Sequence, residues 1–204
     1  MANNTYNTIE EGSEGIFKDR GSKFIAYAWP VKTEEQIRDK LEAVRKKHHN
    51  ARHHCFAWRL GAEKEHYRFN DDGEPSGSAG RPVLGQIRKF DLTNILIVVV
   101  RYFGGTLLGV GGLIKAYRSA AADAIENATI AERTVDHVYE VRFGYPAMNH
   151  VMNIIREEGA EQLEQDFGAD CRMVLAVRRD RSESFTGKLK KSTSVAYVKY
   201  LKTV

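Results

Sequence analysis

Six consecutive residues, Ile95-Leu96-Ile97-Val98-Val99-Val100, are apolar at every position. Such a run leaves no face for water, so it predicts a strand buried on both sides. Arg101, Tyr102 and Phe103 follow, then the loop Gly104-Gly105-Thr106-Leu107-Leu108-Gly109-Val110-Gly111-Gly112. Beyond it Leu113, Ala116, Tyr117, Ala120, Ala121, Ala124 and Ile125 recur at helical spacing, uninterrupted by Pro or Gly. The central unit reads as buried strand, glycine-dense loop, helix.

Elements on either side follow from the same patterning. Residues 1–14 are polar and are expected to be loosely held, with an edge strand as the alternative. Ile16 to Trp29 reads as two short strands around Gly21, ended by Pro30. Thr33-x-x-Gln36 is a capping box, and Ile37, Leu41 and Val44 form the stripe of the helix it opens. Residues 52–60 alternate, with His53, Cys55 and Ala57 on one face and Phe56, Trp58 and Leu60 on the other. Gly61 to Lys64 turns the chain into a second strand, Glu65 to Asn70. Pro82 marks a helix start, with Val83, Leu84 and Ile87 as its stripe.

Thr129 to Thr134 reads as a linker into a second pattern. Val138 to Phe143 is a strand, and Pro146 opens a helix with Met148, Val151, Met152 and Ile155 inward, stopped at Gly159. Glu161 to Phe167 and Cys171 to Arg178 are strands around Gly168-Ala169-Asp170. A short helix carrying Phe185 and Leu189 begins near Asp180-Arg181-Ser182, and Val195 to Leu201 is the last strand. The order βαββαβ is the split arrangement of ferredoxin-like domains. An α+β chain of two domains is expected, 1–133 and 134–204.

Charge changes the picture little. The 204 residues carry a formal net charge of +4. Residues 1–133 hold 20 Lys/Arg against 17 Asp/Glu, and the remainder 11 against 10, so neither part is strongly basic. Affinity for nucleic acid would have to come from a local patch. The longest apolar run falls short of the ~20 residues a membrane span needs. The N-terminus lacks the basic and apolar regions of a signal peptide, so a cytoplasmic location is expected. Cys55 and Cys171 match neither a metal spacing nor a disulfide framework and read as buried free thiols.

Candidate chemistry gathers around the central unit. Five glycines in nine positions, 104 to 112, need a cause, since each adds chain entropy that folding must overcome. Backbone amides and a helix start aimed at an anion are one cause; a cramped strand-to-helix turn is the other. Gly104 and Gly109 have P-loop spacing, but Val110-Gly111 stand where Lys and Ser/Thr are required, and Ile114 occupies the third position of a dinucleotide fingerprint. The loop Asn70 to Pro82 is too long for a tight hairpin. Its Asp71, Asp72 and Glu74 are available to hold a metal, although no EF-hand pattern is present. They are equally able to fix the loop and pair with Arg81 or Arg101, the latter standing at the end of a buried strand where an unpaired guanidinium would be costly. The cluster Arg45-Lys46-Lys47-His48-His49 with Arg52 reads as helix-end complementation for Arg45 and Lys46; for Arg52 a phosphate contact stands as an equal alternative. His53 and Cys55 share a strand face, as a thiol–imidazole pair would, without an identifiable third orienting residue.

The stretch Asp71-Asp72-Gly73-Glu74-Pro75-Ser76-Gly77-Ser78-Ala79-Gly80-Arg81-Pro82 resembles the IMPACT/YigZ family. So do Val98-Val99-Val100-Arg101-Tyr102-Phe103-Gly104-Gly105 and Leu108-Gly109-x-Gly111-Gly112-Leu113-x-x-Ala116-Tyr117, with Ser22-Lys23-Phe24 and His53-x-Cys55-x-Ala57. The tail is similar to the extra C-terminal domain of the YigZ-like bacterial branch. The resemblance implies an N-terminal domain like the second domain of ribosomal protein S-five, a sheet with helices on one face. It also implies a ferredoxin-like C-terminal domain of the kind found in elongation factor G. Eukaryotic relatives act in translational control through an additional N-terminal module not found here, so a regulator associated with RNA, the ribosome or a protein partner in translation is what the resemblance leaves for this chain.

Together these readings place a contact surface on Arg20, Lys23, Arg52 and His53, on Asp71, Asp72, Glu74, Ser76 and Arg81, and on Arg101, Tyr102 and Phe103. The glycines Gly104, Gly105, Gly109, Gly111 and Gly112 complete it, with Lys115 and Arg118 on the helix face of Gly111. Cations and amides supply phosphate affinity, and Tyr102 or Phe103 a surface on which a base stacks. The alternative is an enzyme acting on a phosphorylated small molecule or nucleotide, with Asp71, Asp72 and Glu74 as acid/base or metal groups. A monomer without cofactor or membrane attachment is expected.

Overall fold

The computed structural model describes residues 4–191 and 195–204; the expectation for residues 1–3 lies outside them. The chain divides into two compact units, one from Tyr6 to Arg133 and one from Thr134 to Val204 together with Asn4 and Thr5. Apart from the outermost residues Thr5 and Thr134 of its first and last strands, the first contains β1 (Thr5–Ile9), β2 (Ser13–Asp19), β3 (Ser22–Pro30), α1 (Glu34–Lys47), β4 (His53–Leu60) and β5 (His66–Asn70). It continues with α2 (Gly80–Lys89), β6 (Ile95–Tyr102), α3 (Gly109–Glu126) and β7 (Ile130–Thr134). Five strands form an antiparallel sheet in the order β2-β3-β6-β4-β5.

The apolar run lies in the middle of that sheet, and all six of its side chains are fully buried. Ile95, Ile97 and Val99 pack with α2 and α3, whereas Leu96, Val98 and Val100 pack with Ile37 and Val44 of α1. Helices therefore cover both faces of the sheet, not the one face that the resemblance implies. The cause is the run itself. Leaving Leu96, Val98 and Val100 uncovered would forfeit about 1.5–3 kcal/mol each.

Helix α1 starts at Thr33, whose Oγ1 accepts the Gln36 amide at 3.2 Å. The Gln36 side chain returns to the Lys32 amide at 2.7 Å, one residue before the cap. Helix α3 lies close against β2 because alanines line its inner face. A Cβ on Gly15 would stand 2.3 Å from the Ala124 nitrogen.

At the edges of this unit, Thr5–Ile9 form β1, the strand alternative for the N-terminal residues, with Ile9 fully buried. One expectation is corrected: Ile130–Thr134 form β7 where a linker was expected. The two pair with each other in a two-stranded sheet.

The second unit runs β8 (Asp136–Phe143), α4 (Met148–Glu158), β9 (Glu161–Phe167), β10 (Cys171–Arg178), α5 (Ser182–Lys190) and β11 (Val195–Thr203). Its antiparallel sheet has the order β11-β8-β10-β9, the ferredoxin-like arrangement. Pro146 sits in a 3-10 turn, Tyr145–Ala147, so the α-helix begins two residues later than its Pro suggests. Gly159 ends α4 at φ 65°, as a left-handed cap should. Tyr139, Val141, Phe143, Val151, Ile155, Met173, Leu175 and Phe185 fill the core between sheet and helices. Among the described residues no helix is long and apolar enough to cross a membrane.

Candidate functional site

Strand register brings the sequence-remote motifs to one end of the larger unit's sheet. Arg101 on β6 stands opposite Phe24 on β3 and His53 on β4, and Tyr102 stands opposite Lys23. Just beyond, Gly104 packs on the β2–β3 turn so closely that a Cβ there would lie 1.9 Å from the Gly21 carbonyl carbon. Its amide donates to Ser22 Oγ at 3.1 Å. For this glycine the cramped-turn reading holds. Gly105 and Gly109 adopt φ 87° and 69°, which side chains rarely tolerate. A Cβ on Gly112 would meet Leu108 Cβ at 2.9 Å, while Gly111 has open space around it. Helix α3 opens at Leu108 without any side-chain cap, so its first amides remain available to an outside acceptor.

The three carboxylates of the acidic loop are occupied by the protein's own donors. Asp71 Oδ1 accepts from Ala79 (3.1 Å) and Gly80 (2.8 Å), and Oδ2 from Gly77 (2.8 Å). It thereby caps α2 from outside the helix. Asp72 accepts the His54 amide at 2.7 Å and lies 3.9 Å from the Arg45 guanidinium. Glu74 is buried, accepting both from Arg101 Nη1 (2.7 and 3.0 Å) and from the Tyr117 hydroxyl (2.7 Å). The carboxylate that neutralises Arg101 is thus Glu74, and the aspartates serve the loop. No group of three His, Cys, Asp or Glu among the described residues is placed to hold a metal ion.

The thiol–imidazole pair is not assembled. Cys55 is fully buried, with Sγ 3.0 Å from the Asp71 carbonyl and 3.3 Å from Tyr117 Oη. Burial pushes its thiol well above the ordinary range, and does the same to the Tyr117 hydroxyl, so neither ionises near neutrality. His53 turns its Nδ1 to the Asp72 carbonyl at 2.9 Å. In neutral His53 that bond places the proton on Nδ1 and leaves Nε2 as the acceptor.

The remaining candidates sort into separate hollows rather than one continuous surface. A cleft of about 610 Å³ is lined by Arg52, His53, Arg101, Tyr102, Phe103 and Leu107 among others. Phe103 is 55% exposed, with the Arg101 guanidinium 5.5 Å from its ring, and Leu107 is 81% exposed. Arg101 Nε is buried and finds no hydrogen-bond partner among the described residues. Tyr102 is less free than Phe103, since its hydroxyl bonds His48 Nδ1 at 2.8 Å. His48 Nε2 in turn meets the Tyr27 hydroxyl at 2.8 Å. Burial, then the neighbouring Lys47, depresses the pKa of His48 and keeps it neutral.

Arg81 and Arg118 line a different hollow between α2 and α3, and Arg20 and Lys23 a third at the β2–β3 turn. Lys115 is exposed and lines neither the cleft nor the α2/α3 groove; Ser76 is exposed on the acidic loop. Lys89 and Gly85, also in the α2/α3 groove, were missed because α2 was read only for its buried stripe. Their signal was present in the spacing Arg81, Gly85, Lys89, one position per helical turn.

The Impact N-terminal domain family matches residues 20–125, a span that holds every candidate from Arg20 to Arg118. The chain is 35% identical over 153 residues to the IMPACT family member YvyE of Bacillus subtilis, covering 75% of this chain and 70% of that protein. It is 34% identical over 170 residues to the IMPACT family member YigZ of Escherichia coli, covering 82% and 83%. A crystal structure described only as that of a hypothetical protein is 29% identical and superposes with a TM-score of 0.76, covering 98% of this chain and 97% of that one.

Proposed function

The chain belongs to the IMPACT family, and from that premise we propose that it is a non-enzymatic regulator associated with translation that binds RNA at the end of the larger unit's sheet. The observation that carries this reading is the cleft in which Arg52, His53 and Arg101 meet the exposed ring of Phe103. The Arg52 guanidinium supplies a charge for a phosphate, the Phe103 ring offers a face to a base, and the uncapped start of α3 follows within a few residues. A part in translation is drawn from the eukaryotic relatives. An enzyme acting on a phosphorylated small molecule would need free acid/base groups, and Asp71, Asp72 and Glu74 are spent on internal bonds.

The test is fluorescence anisotropy of a labelled single-stranded RNA across a salt series. Binding weakens steeply with salt, and Arg52→Ala lowers the slope of log K against log salt by about one unit. Phe103→Ala weakens binding with the slope unchanged. Salt-independent binding, or none, refutes the reading.

A further inference from the structure

The groove between α2 and α3 is lined by three cations, Arg81, Lys89 and Arg118. It measures about 620 Å³ and is lined by Arg81, Gly85, Lys89, Ile114 and Arg118, with no carboxylate among its lining residues. None of the three cations belongs to an ion pair among the described residues; Arg81 and Lys89 lie over the Phe69 and Phe90 rings, at 5.9 and 5.5 Å.

Gly85 is the second observation. It occupies the interior of α2 at an ordinary helical φ, is exposed, and has nothing within 4 Å of the position a Cβ would take. The protein's own packing does not require glycine there, and an exposed helix interior disfavours it relative to alanine. Arg81, Gly85 and Lys89 stand one turn apart, so a strip of bare backbone lies between two cations, with Arg118 facing them from α3. From Arg81 to Lys89 the helix rises ~12 Å, more than a single phosphate spans.

We propose that this groove seats the phosphodiester backbone of a single RNA strand, as a second footing separate from the cleft of Arg52 and Phe103. Arg81, Lys89 and Arg118 neutralise successive phosphates, and the missing Cβ of Gly85 lets the chain lie against the helix. The inference rests on the RNA-binding reading above and adds a length requirement to it: a short strand fills the cleft alone, and a longer one reaches the groove.

Two labelled RNAs, of 4 and 16 nucleotides, separate the footings by anisotropy in the intact protein. Lys89→Ala and Arg118→Ala leave the 4-mer affinity unchanged, weaken the 16-mer several-fold, and each lower its salt slope by about one unit. Gly85→Leu supplies a strong helix former, so the thermal midpoint holds or rises while 16-mer affinity falls. If Arg52→Ala weakens both RNAs but the groove variants bind the 16-mer as the wild type does, the groove proposal is overturned and the cleft stands. If neither RNA binds, both fall together. If inorganic polyphosphate competes with the 16-mer as well as unlabelled RNA does, the groove is a general polyanion site and the assignment to RNA is overturned.

Discussion

Removing the Glu74 carboxylate should damage the larger unit far more than its place in a polar loop suggests. Glu74→Ala leaves the Arg101 guanidinium, 7% exposed, without its anion, and the Tyr117 hydroxyl without its acceptor. Breaking a buried pair from one side costs about 3–5 kcal/mol, and an orphaned buried hydroxyl about 1–3. The two losses share one carboxylate, so they do not add in full, and a total near 4 kcal/mol is expected. Against a typical domain stability of about 5–15 kcal/mol that is a large fraction. Urea unfolding followed by tryptophan fluorescence isolates the effect, because Trp29 and Trp58, the chain's two tryptophans, both lie in the unit from Tyr6 to Arg133. Replacing both partners, Glu74→Leu with Arg101→Met, removes the buried charges together and should cost less than either single change, with a coupling of at least about 2 kcal/mol. A loss under about 1 kcal/mol for Glu74→Ala, the value of a surface pair, would refute the claim that the pair is desolvated and holds the loop to the sheet.

Three further outcomes follow from the same geometry. Gly104→Ala forces a Cβ into the Gly21 backbone and should cost more than about 2 kcal/mol, whereas Gly111→Ala enters open space and should gain up to about 1 kcal/mol, both read from urea midpoints. Cys55 and Cys171 are both fully buried, so Ellman's reagent should titrate no thiol in the native protein and two in denaturant; rapid native labelling would contradict the packing of Cys55 between Asp71 and Tyr117. Burial depresses the folded-state pKa of His48 below its ordinary 6.5. The folded form therefore favours neutral His48, and the stability this contributes is present above pH 6.5 and is lost as pH falls toward the folded value. The fluorescence-detected urea midpoint should drop between pH 7 and pH 5 and should drop less in His48→Gln; equal drops would rule His48 out as the cause.

Family membership and the central unit were legible because they are local. An unbroken β-branched run, a helical stripe of alanines and the turn residues around them depend on neighbours a few positions away. The order of the C-terminal elements was read the same way, down to Gly159 as the end of α4. Pairing was not legible. Strands β1 and β7 lie more than 120 residues apart, and each is too short and polar to declare itself, so only their meeting makes either a strand.

The same division runs through the site. The chain showed that Arg101, at the end of a buried strand, required an anion, and it supplied three carboxylates in one loop. Which of them reached the guanidinium was decided by the register of β6 against β3 and β4 and by the arrival of Tyr117 from α3. Folding gave Glu74 to Arg101 and turned Asp71 onto the amides of α2. It also parted cations that the sequence reading had placed on one contact surface, Arg52 going to the cleft and Arg118 to the groove. Periodicity determines which face of an element is buried; which charges meet depends on distances between elements, and those exist only once the layers have packed.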